Sequence, residues 1–233
     1  MSLVEAEGLT RTYQEGEIFV EALKGVSFKI EPGSFVSFVG PSGSGKSTTL
    51  NLIGCLDQPT EGKITVAGQD TSALDRKQAA RFRGQHIGII FQDFNLLPVL
   101  TVYENVEFPL VMVRSDVPPD ERRARVMEVL EAVGMTDQAK KYPGQISGGQ
   151  KQRVAVARAL VSQPELVLAD EPTANLDSTT SYKIIELMRS MRDRLGTTFI
   201  FSTHDPKVMQ VAEVTFNLVD GQISDATEEA SHV

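Results

Sequence analysis

Gly40-Pro41-Ser42-Gly43-Ser44-Gly45-Lys46-Ser47 is the stretch on which the reading of the whole chain turns. It matches G-x-x-x-x-G-K-[ST], the pattern of a phosphate-binding loop. Its surroundings are the ones such a loop needs: the apolar run Phe35-Val36-Ser37-Phe38-Val39 comes before it, and a helical run, Ser47–Cys55, comes after. The glycines let the backbone turn tightly, so that successive N–H groups point inward as an anion nest, and the helix N-terminus adds partial positive charge. In a loop of this kind Lys46 reaches the β- and γ-phosphates and the Ser47 hydroxyl ligates Mg²⁺. The candidate nucleotide contacts are therefore Gly40, Pro41, Ser42, Gly43, Ser44, Gly45, Lys46, Ser47 and Thr48.

Outward from the loop, three more short apolar runs read as buried parallel strands: Ile87–Phe91, Leu166–Ala169 and Thr198–Phe201. They lack polar alternation, as expected where helices cover both faces of a sheet. Helical patterns lie between them, including Ser181–Leu195 with Ile184, Ile185, Met188, Met191 and Leu195 at helical spacing. The alternation means α/β. Val20–Ile30 differs: it alternates loosely and is punctuated by Gly25, Pro32 and Gly33, which predicts an antiparallel sheet beside the main one. From about Asn95 to Val161 strand patterns disappear. Thr101 and Glu104 form a T-x-x-E capping box, and Asp120–Val133 reads as a helix with Val126, Met127, Leu130 and Val133 on one face and Gly134 as its stop. The expected architecture is an α/β P-loop NTPase (RecA-like) core, residues 1–94 and 162–233, carrying an N-terminal antiparallel β subdomain, with a helical subdomain inserted at 95–161. The polar tail Asp225–Val233 is expected to fray.

Leu166-Val167-Leu168-Ala169-Asp170-Glu171-Pro172 is an apolar strand ending in two carboxylates. With a side-chain period of two, Asp170 and Glu171 point to opposite sides and take different tasks. Asp170 suits Mg²⁺ held through water, and Glu171, just past the strand end, suits a general base that polarises the attacking water. An Asp-Glu pair alone means little, since surface turns supply many; downstream of a phosphate loop it is a strong signal. His204 follows the strand Thr198–Phe201, at the edge where open α/β sheets bind ligands. Asp205 and Pro206 read as a helix start, and His86 and His232 as ordinary residues.

Ile146-Ser147-Gly148-Gly149-Gln150-Lys151-Gln152-Arg153 precedes a helix read as Val154–Leu160. Ser147 there is an N-cap with two loop glycines, or else part of a second anion site, in which a hydroxyl, bare glycine N–H groups and a helix N-terminus face a phosphate. With this segment in place the sequence resembles the ATP-binding cassette (ABC) ATPases over nearly its whole length. The resemblance implies ATP and Mg²⁺ as cofactors. It places adenine on Tyr13 and sets Gln92 against Mg²⁺ and the attacking water. It also makes Ser147, Gly148, Gly149 and Gln150 the signature loop, Ala174-Asn175-Leu176-Asp177 the loop that crosses a dimer interface, and His204 the switch histidine. Ile146 departs from the usual Leu, one apolar residue for another. Tyr13 also reads as ordinary sheet packing, Asp177 as a plain N-cap, and Gln92 as a solvated turn residue.

The resemblance further implies a head-to-tail homodimer with ATP sandwiched between the signature of one subunit and the phosphate loop of the other. Leu50–Asp57 and Gln92–Pro98 look like the subgroup that holds the lipoprotein-release ATPase LolD and the ATPase domain of the exporter MacB, with the division ATPase FtsE nearby. That implies a transmembrane permease of the MacB/FtsX type, docked by the loop after Gln92 and by the helical insertion. The expected role is energy coupling for lipoprotein release or macrolide/peptide export, with FtsE-like regulation of a membrane partner as the alternative. The expected place is the cytoplasmic side of the inner membrane.

Composition agrees and excludes. A chain of 233 residues with 41% hydrophobic and 23% charged residues supports a core without disulfides or structural metal. The net charge of −8 argues against nucleic acid as a partner, because phosphate backbones demand a basic footprint. No apolar run approaches the roughly 20 residues that span a bilayer, and acids stand where a signal peptide has bases, so no direct membrane insertion is expected. The single cysteine, Cys55, lies in an apolar stretch and reads as a small buried side chain.

Overall fold

The computed structural model describes residues 1–114, 117–203 and 206–228. Two sheets organise the chain. β1 (Val4–Glu15), β2 (Ile18–Ile30), β4 (Glu61–Val66) and β5 (Gln69–Asp70) form an antiparallel sheet in the order β2-β1-β4-β5. The second sheet runs β10-β9-β3-β8-β7-β6. Its strands are β3 (Phe35–Val39), β6 (Ile87–Ile90), β7 (Leu166–Asp170), β8 (Thr198–Ser202), β9 (Val214–Val219) and β10 (Gln222–Glu228). All of its neighbours pair in parallel except β9 and β10. This is the α/β architecture with an N-terminal antiparallel sheet that the sequence predicts.

The period of two in the parallel strands sorts their side chains into two cores. Phe35, Phe199 and Phe201 face one core, with Phe35 and Phe201 centroids 4.5 Å apart. Val36, Phe38, Leu166, Leu168 and Ile200 face the other, where Phe38 stacks on Phe216 at 5.1 Å and meets Phe28 edge-on at 5.1 Å. The second core joins the two sheets around α1 (Lys46–Ile53) and α2 (Arg76–His86). Truncating a fully buried ring such as Phe201 to alanine in a core of this kind costs about 3–5 kcal/mol.

The first core is roofed by α3 (Val102–Met112), α4 (Pro119–Ala132), α5 (Gly148–Leu160) and α6 (Ser178–Leu195), and α7 (Pro206–Val211) follows β8. α3 to α5 lie in the chain between β6 and β7. The Thr101–Glu104 capping box forms as expected: Thr101 Oγ1 accepts from the Glu104 N–H at 3.2 Å, and Glu104 Oε2 accepts from the Thr101 N–H at 2.7 Å. α5 lies close on β6 because residue 88 is glycine; a Cβ there would stand 2.4 Å from the Ala159 carbonyl oxygen.

Several boundaries differ from the sequence reading. α5 begins at Gly148 rather than Val154, so the two glycines of the signature are its first turn; Ser147 caps them, and the buried face of the helix continues without interruption. α1 stops at Ile53 because Cys55 turns left-handed (φ 52°) after Gly54. Leu195 is exposed at the end of α6 rather than on its core face. Asp225 to Glu228 do not fray but pair with β9 in β10, while residues 229–233 lie outside the described residues. Cys55 is buried, and that burial pushes its thiol pKa up.

β9 and β10 are joined by the two-residue turn Asp220-Gly221, both left-handed (φ 49° and 79°), as a type I′ hairpin requires. Gly221 also ties the two sheets together. Its carbonyl accepts from the Lys24 N–H of β2 at 2.9 Å, and its N–H donates to the Ser44 carbonyl at 3.1 Å.

Candidate functional site

The C-terminal ends of β3, β6, β7 and β8 deliver their following residues to one edge of the parallel sheet, where α/β folds bind ligands. A cleft of about 740 Å³ opens there. Gly40 to Gly43 and Gly45 to Thr48 line it, along with Gln92, Glu171, Ala174, Ser202 and Ala22.

The phosphate loop is built by its glycines. Gly40, Gly43 and Gly45 have φ of 148°, 79° and 104°, and a Cβ on Gly40 would fall 2.0 Å from the Leu218 carbonyl oxygen. Gly45 is the N-cap of α1 and supplies no side-chain cap, and the first turn carries no acid. The first N–H groups of α1 are thus left for an anion. Lys46 folds back over the loop, its Nζ donating to the carbonyls of Gly40 at 2.8 Å and Pro41 at 2.9 Å. Its side chain is buried, which holds the ammonium at the floor of the cleft.

Opposite, the Ser47 hydroxyl donates to Asp170 Oδ1 at 3.2 Å, joining the start of α1 to the end of β7. A hydroxyl, a carboxylate and the neighbouring Gln92 are hard oxygen donors of the kind that hold a divalent cation together with a ligand's phosphates. Among the described residues no group of three or more His, Cys, Asp or Glu is placed to hold a metal ion. Ser202 is fully buried at the cleft wall, and among the described residues its hydroxyl has no hydrogen-bond partner. Glu171 sits at φ 45°, a conformation that costs a non-glycine residue about 1–3 kcal/mol. Its N–H donates to the Ser202 carbonyl at 2.9 Å, and its Oε2 lies 3.5 Å from Thr203 Oγ1. Asp170 and Glu171 thus make separate contacts, the first with α1 and the second with β8.

The remaining candidates divide. Gln92 is exposed in the cleft wall, and its carbonyl accepts from Asn175 Nδ2 at 3.0 Å. Tyr13 is not among the lining residues. Its hydroxyl donates to Asp57 Oδ2 at 2.8 Å, and the Arg11 guanidinium stands 4.5 Å over its ring. His204 lies outside the described residues.

Ser147, Gly148, Gly149 and Gln150 also lie away from the cleft. The Gln150 N–H donates to Ser147 Oγ at 3.3 Å, and the Ser147 N–H donates to Gln150 Oε1 at 2.9 Å, a reciprocal capping box. Ser147 and Gly148 are exposed. Gly149 allows α5 to start against α6, since a Cβ there would be 2.5 Å from Thr180 Cγ2. Asp177 caps α6, its Oδ1 accepting from the N–H groups of Thr179 and Thr180, each at 3.0 Å. Hydrogen bonds from Thr180, side chain first and backbone second, hold its carboxyl below the usual carboxylate range. The signature residues and Asp177 therefore share one exposed flank.

Three participants carried no signal in the sequence. Ser202, at the end of β8, and Ala22, in β2 of the other sheet, reach the cleft from distant parts of the chain. Arg158 of α5 donates from Nη2 to the Phe94 carbonyl at 2.8 Å and from Nη1 to the Asn95 carbonyl, across more than sixty residues of chain.

The sequence model of the ABC transporter family matches residues 23–174. The macrolide export ATP-binding/permease protein MacB of Marinobacter nauticus is 46% identical over 225 residues, 97% of this chain but 34% of its own length. The chain thus spans about a third of the MacB relatives it matches. An uncharacterised ABC transporter ATP-binding protein of Methanocaldococcus jannaschii, MJ0796, is 45% identical and covered to 95% on both sides. The dimeric structure of the MJ0796 cassette in a post-hydrolysis state, bound to ADP and phosphate, superposes with a TM-score of 0.88 at 44% identity, covering 97% of this chain and 98% of that one.

Proposed function

This chain belongs to the ABC transporter family as an ATP-binding subunit and is an ATPase, and from that premise we propose that it hydrolyses MgATP between two copies of itself arranged head to tail. Phosphates bind the Gly40–Thr48 loop and the α1 N-terminus, with Lys46 shifting from its two carbonyls to the β- and γ-oxygens. Ser47 and Gln92, together with Asp170, would hold Mg²⁺, which would supply charge neutralisation for the transferred phosphoryl group. Glu171 takes the proton of the attacking water, His204 assists at the γ-phosphate, and Tyr13 leaves Asp57 and Arg11 to stack on adenine. The partner's signature, Ser147 to Gln150, and its Asp177 loop close the site from outside.

The observation that carries this reading is the half-built nature of the site. One chain holds a complete phosphate cradle with the Ser47–Asp170 pair, and a second Ser-Gly-Gly helix start faces solvent on another flank.

The energy passes to a permease of the MacB/FtsX type. Leu97 and Val99 in the loop before α3, Phe108, Val111 and Met112 on α3, and Val113 just after it are exposed apolar residues and form the docking face in the helical stretch 95–161. No helix among the described residues is long and apolar enough to cross a membrane. We place the protein at the cytoplasmic side of the inner membrane, held by that permease, in lipoprotein release or macrolide/peptide export. Purification of the native membrane complex tests this. A co-purifying subunit with about four spans and a large outer domain supports the permease assignment, a transport assay on that complex separates export or release from FtsE-like regulation, and a cassette that stays alone refutes the permease assignment.

A further inference from the structure

The loop after β6 takes an unusual path. Phe94 and Asn95 are both left-handed, with φ of 62° and 47°, although neither is glycine. Two such residues in succession do not persist without external support. The support comes from two sides. From α5, the planar Arg158 guanidinium holds the carbonyls of Phe94 and Asn95 at once. Burial pushes the pKa of this guanidinium down, yet an arginine remains charged at neutral pH, so both bonds are charge-assisted. From the loop after β7, the Asn175 carboxamide donates 3.0 Å bonds to the Gln92 carbonyl and to Asp93 Oδ1. Gln92 is therefore suspended between the helix that starts at the signature and the segment that joins Glu171 to Asp177.

We propose that Arg158 and Asn175 are positioning residues for ATP hydrolysis: together they fix the strained 92–95 loop so that Gln92 faces the cleft, and they make its placement depend on where α5 and the 174–177 loop stand. Neither residue touches the nucleotide in this scheme. Arg158 is suited to the task by its fork, which spans two adjacent carbonyls; a lysine offers one point of attachment. Asn175 is suited because it offers two N–H donors to two acceptors on consecutive residues.

The inference rests on the reading of Gln92 as a Mg²⁺- and water-facing residue, and the experiment separates the two. Steady-state kcat, KM for ATP and the Mg²⁺ concentration dependence are measured for Gln92→Ala, Arg158→Lys and Asn175→Ala, and for each of the latter two combined with Gln92→Ala. A displaced Gln92 is expected to lower kcat by about 10-fold in Arg158→Lys and somewhat less in Asn175→Ala, with KM for ATP within about twofold and a raised Mg²⁺ requirement. In the Gln92→Ala background the same substitutions are expected to lower kcat by less than about twofold, because they act through a side chain already removed. Full kcat in both Arg158→Lys and Asn175→Ala, beside an impaired Gln92→Ala, overturns the positioning role alone. Equal losses with and without Gln92 overturn it as well, leaving only a structural effect. Full kcat in Gln92→Ala removes the premise and the inference with it. Asn175 is exposed, so its variant keeps the test open should Arg158→Lys fail to fold.

Discussion

At the start of α1 the chain leaves backbone N–H groups uncapped and surrounds them with a glycine loop and a buried Lys46. At the start of α5 the helix is capped twice over, by Ser147 and Gln150, and its first residues stand in solvent. Both helices open on glycine and serine, yet only the first leaves its N–H groups without a side-chain cap. The second satisfies itself until an acceptor stronger than the Ser147 hydroxyl oxygen competes for the Gln150 N–H. The composite site proposed above needs this difference, because a signature that bound phosphate unaided would compete with the cradle it is proposed to complete.

The contrast is testable. The largest effect is expected for Glu171→Gln, which keeps the cradle and the signature but removes the base: turnover falls by about 100-fold or more, and solution scattering at saturating MgATP shows a dimer. Ordinary hydrolysis by that variant would remove Glu171 as the base. Lys46→Ala breaks the cradle itself, with a loss of about 3 kcal/mol, or more than about 100-fold, in ATP affinity by titration calorimetry. Tyr13→Ala is expected to lose about 1–3 kcal/mol of stacking, and unchanged affinity would return the ring to its bonds with Asp57 and Arg11. Ser147→Ala sharpens the comparison. It costs the α5 cap about 1 kcal/mol in thermal unfolding and lowers hydrolysis, while ATP affinity at dilutions that keep the protein monomeric stays unchanged. A matching drop in monomer affinity would put the signature in the cradle of its own chain and erase the distinction.

The smallest effect concerns acid. The Asp177 carboxyl is depressed in the folded protein, so its stabilisation is complete above the ordinary aspartate pKa and is lost as pH falls through the lower folded value. Melting temperatures taken downward from about pH 5 should fall less steeply for Asp177→Asn than for the wild type, since the carboxamide caps without titrating. Parallel acid limbs would show that the cap does not depend on charge.

Much of this was legible from local pattern. The apolar runs ending at Val39, Ala169 and Phe201 mark strands whose both faces are covered, and the loop between Gly40 and Ser47 carries its chemistry in its own residues. What escaped has few local marks. α2 reads Arg-Lys-Gln-Ala-Ala-Arg-Phe-Arg-Gly-Gln-His with only Phe82 buried, so it has no apolar stripe. β10 is polar because it is an edge strand, recognisable only by its pairing with β9. The glycines at 148 and 149 resembled a loop, though here they let a helix begin close to α6. Only the resemblance puts Tyr13 on adenine, and its partners here, Asp57 and Arg11, are set by how β1 lies beside the segment after α1. Arg158 and Asn175 act on carbonyls far away in the chain, which no spacing rule announces.

The Asp220-Gly221 turn has a practical consequence. Tips of surface hairpins are where engineers splice in epitope tags, fluorescent domains or new chain ends, because such places usually forgive them. Here the tip is a rivet: its amide grips the Ser44 carbonyl while its carbonyl grips β2, and a side chain on residue 221 would run into the Ala22 carbonyl at 2.8 Å. A graft between Val219 and Gln222 would loosen the phosphate loop from behind, and anyone labelling this protein should choose the β1–β2 tip at Gly16-Glu17 instead.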